Sequence, residues 1–276
     1  MRQKGLALIF CFWFMIVTVA CTAVNSEAPQ ATVESSENNV NPQPNVEQKQ
    51  TAYYVDSGLF KIHAVNDSEK VGEAEKIALL TFDDGPKGIV TTEILDILDK
   101  YEAKSLWFVS GFNYGVSIDQ PDPAKADRFR TLVKEIHQRG HLIGNHTWSH
   151  ANLRQLSAEE QKREIASMNQ LLEEITGEPV RFFRPPFGAD TDVQKLYMKE
   201  AGMQTMNWSV GSLDWELKEA EQVVEQVVST IHPGANILMH DLPIQVEALD
   251  TILAQLREMG YRFMLPTELE PSLAES

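Results

Sequence analysis

Two neighbouring carboxylates, Asp83 and Asp84, end an apolar run, Ile77-Ala78-Leu79-Leu80-Thr81-Phe82, and Gly85-Pro86 follows at once. Like charges a few ångströms apart resist joint ionisation unless a cation lies between them, so the pair is a candidate metal or acid–base site. The plainer alternative is an Asx-type turn that only closes a loop. Further along, His146-Thr147-Trp148-Ser149-His150 sets two imidazoles four residues apart, able to grip one ion from a helical turn or a tight loop. It is not the zinc-protease pattern, because Thr147 stands where that motif needs a glutamate base. Two histidines and one carboxylate leave coordination positions open for water, as a catalytic metal site requires. The same donor set also suits a non-haem iron oxygenase, though the acid–base pair and the alternating pattern described next argue against it.

Periodicity shows which elements must hold these residues. Apolar stretches predict strands over 77–82, 104–109, 141–145, 180–183, 203–209, 236–240 and 261–265. Between them, Ile94, Ile97, Leu98 and Tyr101 line one helix, and Phe129, Leu132, Val133 and Ile136 line another, closed by Gly140. A third opens with the capping box Ser157/Glu160, carries Ile165, Met168, Leu172 and Ile175, and stops at Gly177. Val223, Val224, Val227 and Ile231 line a later helix; Leu249, Ile252, Leu256 and Met259 line the last, ended by Gly260. About seven strands alternating with helices imply the α/β class and a parallel sheet, most simply a barrel. A flat doubly wound sheet is the alternative, but no glycine-rich nucleotide loop follows the first strand. No internal repeat is visible. Asp83 and Asp84 follow the first strand, His146 and His150 the third, Arg184 the fourth and Asp214 the fifth, while His240 ends the sixth. In an α/β barrel all of these open onto the catalytic face, whereas random placement would send about half to the other end.

Thr81-Phe82-Asp83-Asp84-Gly85, His146-Thr147-Trp148-Ser149-His150, Arg184-Pro185-Pro186-Phe187-Gly188, Asp214-Trp215 and Leu238-Met239-His240 resemble, in order, the five motifs of the NodB-type polysaccharide deacetylases, carbohydrate esterase family four. The resemblance covers residues 75–268. It implies a distorted (β/α) barrel and a divalent metal, usually zinc. The implied reaction removes N-acetyl groups from N-acetylglucosamine polymers (chitin-like, peptidoglycan or exopolysaccharide), or O-acetyl groups from acetylated xylan in some members. It further implies Asp84, His146 and His150 as metal ligands and Asp83 as the catalytic base, a division the residues alone leave open. On the same resemblance Arg184 pairs with Asp83, the Phe187 backbone N–H faces the developing oxyanion, and Asp214 orients His240, which protonates the departing amine. Pro185 joins the substrate-binding residues, and Trp215 and Leu238 form an apolar cup for the acetyl methyl. An ester needs such a proton donor far less than an amide, so His240 leans the reading toward N-deacetylation. A catalytically silent glycan-binding module on the same fold is the alternative of a different class. It would need gaps in the motifs, and Asp83, Asp84, His146, His150 and His240 are all present.

Two features depart from the pattern. Gly211 stands where many relatives carry another aspartate, and the loop from Gly111 to Asp127 is longer than usual, which suits a substrate subsite. His63, His137, His141 and His232 match no motif and are expected to be surface or structural.

Arg2 and Lys4 precede an apolar stretch, Leu6 to Ala20, short for a membrane span of roughly 20 residues and matching an export signal over 1–21; an uncleaved N-terminal anchor is the alternative. Cys21, after Thr18-Val19-Ala20, resembles a bacterial lipoprotein cleavage site, so a lipid anchor there is expected; cleavage after Ala23 is the alternative. Cys11 and Cys21 both lie in or beside this segment, which excludes a disulfide framework in the exported chain. Residues 22–52 read as a disordered polar linker, and 53–74 as an N-terminal extension of uncertain structure. The expected address is the cell envelope or the exterior. At a formal net charge of −16 the chain disfavours nucleic acid and anionic membrane surfaces, and is compatible with an acetylated glycan.

Overall fold

The structure, a computed structural model, describes residues 52–65, 75–264 and 266–269. The expected signal peptide with Cys21, and the linker up to residue 51, lie outside the described residues. A short hairpin, β1 (Tyr53–Val55) and β2 (Ile62–Ala64), precedes the long strand β3 (Ile77–Gly85) and helix α1 (Ile89–Lys100). Then come β4 (Ser105–Val109), a small hairpin β5 (Gly115–Ser117) and β6 (Gln120–Pro121), α2 (Pro123–Gln138), β7 (Leu142–Asn145) and α3 (Ala158–Thr176). The second half runs β8 (Phe182–Phe183), α4 (Asp192–Ala201), β9 (Gln204–Thr205), β10 (Val210–Gly211), α5 (Ala220–Thr230), β11 (Ala235–His240), α6 (Pro243–Glu258) and β12 (Arg262–Phe263).

Every pairing in the main sheet is parallel, in the order β10-β11-β3-β4-β7-β8-β9, with β12 added beside β3. This is the expected distorted (β/α) barrel. The period of two along β3 explains how it positions chemistry. Ala78, Leu80 and Phe82 pack outward with Trp107 and the helices, while Ile77 and Leu79 pack inward with Leu106, Phe108 and Phe182. Thr81 and Asp83 continue the inward column, so it turns from apolar to polar toward the catalytic end. Helix α3 keeps its expected capping box, with the Ser157 backbone N–H donating to Glu160 at 2.9 Å, and ends at Gly177 in the left-handed region (φ 76°).

Of the strand expected over 203–209 only β9 (Gln204–Thr205) forms; β10 (Val210–Gly211) begins just after that stretch, at the opposite edge of the sheet. Between β9 and β10 no ladder forms. The carbonyls of Met206 and Asn207 instead accept hydrogen bonds from the Arg184 guanidinium at 2.8 and 3.0 Å, so this backbone is spent on a side chain rather than on a neighbouring strand. Helix α4 was not signalled by periodicity, because it buries only Gln194 and Met198 and leaves Leu196 exposed.

The uncertain segment at 53–65 proves to be the floor of the barrel. The Ile62 N–H donates to the Gly234 carbonyl (2.8 Å), and Gln204 Nε2 donates to the Val55 carbonyl (2.9 Å). Tyr53, Val55 and Ile62 are buried against the inward residues of β3, β4 and β8, each burial contributing on the order of 2 kcal/mol. Among the described residues no helix is long and apolar enough to cross a membrane.

Candidate active site

Asp84 lies at the polar end of β3, in the left-handed region (φ 67°), a strained choice for a residue with a side chain. His146 comes directly after β7, and its loop folds back so tightly that Thr147 (φ 68°) and His150 (φ 57°) share that strain. The loop is a tight turn rather than a helical one. Asn145 holds it by accepting the Thr147 N–H at 2.7 Å, and Glu164 of α3 accepts from the Ser149 N–H at 2.7 Å. Trp148 is buried beneath, its indole donating to the Val116 carbonyl at 3.0 Å. A Cβ on Gly111 would meet that ring at 2.5 Å, so only glycine fits there.

These turns bring one ligand atom each from Asp84, His146 and His150 within 4.8 Å of one another. His150 Nε2 lies 3.3 Å and His146 Nε2 3.7 Å from Asp84 Oδ1. His146 Nδ1 donates to the Arg184 carbonyl at 2.7 Å, which fixes the tautomer and turns the Nε2 lone pair into the site. Asp84 Oδ1 is buried without a hydrogen-bond partner, a costly arrangement that a cation would relieve. The donor set therefore fits a divalent metal. Burial opposes the Asp84 charge, but the His146 and His150 charges bring its carboxyl below the ordinary value. Burial and the neighbouring His146 keep His150 below its ordinary value, favouring the neutral, ligating form.

Asp83 lies beside this triad, its Oδ2 3.6 Å from His146 Nε2. Its Oδ1 accepts from Arg184 at 2.7 Å, both side chains being buried. The guanidinium also donates to Thr81 Oγ1 at 2.8 Å and stacks on Phe108, its Cζ 4.1 Å from the ring centroid. The expected Arg184–Asp83 pair is thus present, and every other polar contact of the guanidinium is to a neutral group.

His240 ends β11. Its Nδ1 donates to Asp214 Oδ1 at 2.7 Å and its backbone N–H to Asp214 Oδ2 at 2.6 Å, leaving Nε2 free for the cleft. Burial lowers the His240 pKa, but the hydrogen bond and charge of Asp214 outweigh it and leave the imidazole above its ordinary value. Trp215 meets the His240 ring edge-on at 5.0 Å. Phe187, in the left-handed region (φ 61°), meets His150 at 4.9 Å. A cleft of about 580 Å³ joins Asp83, Asp84, His146, His150 and His240 to apolar walls from Pro185, Phe187, Trp215 and Leu238. Arg184 and Asp214 stand behind it.

The family model for polysaccharide deacetylases matches residues 70–206. A Bacillus cereus protein named peptidoglycan-N-acetylglucosamine deacetylase is 35% identical over 199 residues, covering 70% of this chain and 68% of that one. The chain belongs to the polysaccharide deacetylase family. Among solved structures, the Bc1960 peptidoglycan N-acetylglucosamine deacetylase superposes with a TM-score of 0.64 at 33% identity, over 73% of this chain and 91% of that one. BA3943 of Bacillus anthracis, described as a family pseudoenzyme, matches with a TM-score of 0.62 at 28% identity, over 71% and 69% of the two chains.

Sequence motifs missed three residues of this deacetylase-family site. Trp208 and Leu242 line the cleft. Trp208 falls in the stretch expected as a strand but sits in the irregular segment after β9, Leu242 sits just past β11, and no motif contains either. Asp241 is buried under the first motif, accepting from Thr91 Oγ1 (2.6 Å) and the Lys87 N–H (3.0 Å), and burial pushes its carboxyl above the ordinary value. A Cβ on Gly85 would lie 2.7 Å from Asp241 Oδ2, which explains the glycine. Gly211, the departure from the family pattern, is not crowded: a Cβ there would lie 3.6 Å from the Trp208 indole nitrogen. The long 111–127 loop folds as a short 3-10 turn and the β5–β6 hairpin, and its residues from Pro123 on are the start of α2. His141 is structural, as expected: burial, then Lys104, drive its pKa to about 3, and its Nδ1 accepts the Ser105 N–H at 3.1 Å.

Proposed function

We propose that this polysaccharide deacetylase hydrolyses N-acetyl groups on an N-acetylglucosamine-containing glycan of the cell envelope, using a divalent metal, zinc by preference, held by Asp84, His146 and His150. The observation that carries the reading is the convergence of this donor triad with the Asp83–Arg184 and His240–Asp214 pairs in one cleft. A bound divalent cation would supply Lewis-acid polarisation of the acetyl carbonyl and lower the pKa of a nearby water from 15.7 toward ~7. Asp83, paired with Arg184, accepts the proton of the attacking water. The backbone N–H of Phe187, a cleft residue held in the left-handed region, steadies the charge that develops on the acetyl oxygen. Trp215 and Leu238 enclose the methyl group. His240 then protonates the sugar nitrogen from Nε2, since an amine anion cannot leave, and Asp214 holds the ring and its charge. The exported, Cys21-anchored form read from the leader fits a glycan outside the cytoplasm.

The pseudoenzyme among the structural neighbours makes a silent glycan-binding role the second reading, and the complete set of five motifs weighs against it. Acetate release from chito-oligosaccharides decides. Chelation is expected to abolish it and zinc to restore it; no release from any acetylated glycan, with metal bound, would leave the binding module.

The acid role has its own test. Protonated His240 is the active form, and Asp214 raises its pKa, so activity should persist above the ordinary histidine range and fall as pH rises through the raised value. Asp214→Asn removes the charge and should move that alkaline fall to lower pH. A profile that keeps its alkaline limb in place would remove His240 from the role.

A further inference from the structure

Beside the cleft lies a second cavity, of about 240 Å³, walled on one side by the first motif's loop and on the other by α2. Lys87 enters it three residues after Asp84. Asn113 lines it while donating from Nδ2 to the carbonyls of Asp84 (2.8 Å) and Gly85 (3.1 Å), so the cavity and the metal loop share a wall. Phe112 lines it too, and its ring meets His150 edge-on at 6.4 Å. On the far wall Lys125 and Arg128 stand one turn apart on the same face of α2. The Arg128 stem reaches back to the loop, its Cδ 3.9 Å from where a Cβ on Gly88 would lie.

Three cations therefore converge on one small cavity, and no carboxylate lines it. Among the described residues none of the three is ion-paired. Acidic residues outnumber basic ones 40 to 24 in this chain, so chance would favour an acidic rim. Lys87 also feels the buried carboxyls of Asp84 and Asp241, but Lys125 and Arg128 have no carboxylate within ion-pair distance among the described residues, and an anion in the cavity would relieve their repulsion. Arg128 offers a planar fork suited to a carboxylate, and the two lysines offer point charges around it.

We propose that this cavity is a subsite for a carboxylate carried on the glycan, beside the sugar being deacetylated. The favoured substrate is then a carboxylate-bearing, peptidoglycan-type strand rather than a neutral chitin-like one. The inference rests on the deacetylase reading above and adds the charge of its substrate. A lactyl ether and an attached peptide both present such a group within reach of a sugar ring.

The test compares kcat/KM for acetate release from three substrates: a neutral N-acetylglucosamine oligomer, a glycan strand bearing lactyl carboxylates without peptides, and the same strand with peptides. In the double variant Lys125→Glu/Arg128→Glu the charged-to-neutral ratio is expected to fall about tenfold. A fall with the peptide-free strand assigns the lactyl group; a fall only with the peptide-bearing strand assigns the peptide carboxylate. For the wild-type enzyme the same ratio should fall as salt is added, a measurement that needs no variant to fold. A ratio indifferent to both salt and charge reversal overturns the subsite while acetate release from the neutral oligomer leaves the deacetylase reading intact. No release from any of the three substrates overturns that reading, and the subsite with it.

Discussion

Asp83→Asn is expected to lower turnover by about 10²–10⁴-fold while the bound metal stays at wild-type stoichiometry. The asparagine keeps the size of the side chain and an oxygen for Arg184, but it cannot take a proton from water. The metal should remain because Asp83 is not among the three groups that converge on the ion; its neighbour Asp84 is. The substitution also leaves the buried Arg184 without its counter-charge, a loss on the scale of about 3–5 kcal/mol for a broken buried pair. Thermal unfolding must therefore be followed alongside kinetics, and turnover compared at a temperature where the variant is folded. Near-normal turnover would take the base role from Asp83, and loss of metal would make Asp83 a ligand instead.

His146→Ala should lose metal and activity together. The ring is buried, its Nδ1 is fixed by the Arg184 carbonyl, and its Nε2 faces Asp84 and His150, so the alanine leaves two donors where three met. Two ligands do not hold zinc in a site that also keeps water positions open. After dialysis the variant should carry almost no metal by elemental analysis and release no acetate, with a circular dichroism spectrum like that of the wild type. Metal retained at full stoichiometry would sink the ligand assignment even if activity fell.

Much of this was legible in the residues. Leu80 and Phe82 outward, Leu79 and Asp83 inward follow from alternation alone, and the polar residues past successive strands share one face because parallel strands all end there. The candidate metal triad needed only that Asp84 and the His146–His150 turn meet, and they do. What the sequence hid has physical reasons. The 203–209 stretch is apolar enough for one strand, yet the Met206 and Asn207 carbonyls are taken by a side chain far away in sequence, which no local pattern reports. The β1–β2 floor is too short for periodicity, and its value comes from burial against β3, β4 and β8. Asp241 belongs to none of the five motifs; only packing shows a buried carboxyl bracing the first motif.

Arg184 joins both halves of this account. It donates to Asp83 and, with its other nitrogens, to the carbonyls that occupy the place where β9 and β10 fail to pair. The barrel thus has a keystone, and the keystone is also the counter-ion of Asp83, the proposed proton acceptor. Loosening it unsettles the wall and the chemistry in one stroke. A lineage of this chain that gave up hydrolysis could shed His150 or His240 and keep its fold, but Arg184, with Asp83 as its buried counter-charge, would be retained for architecture.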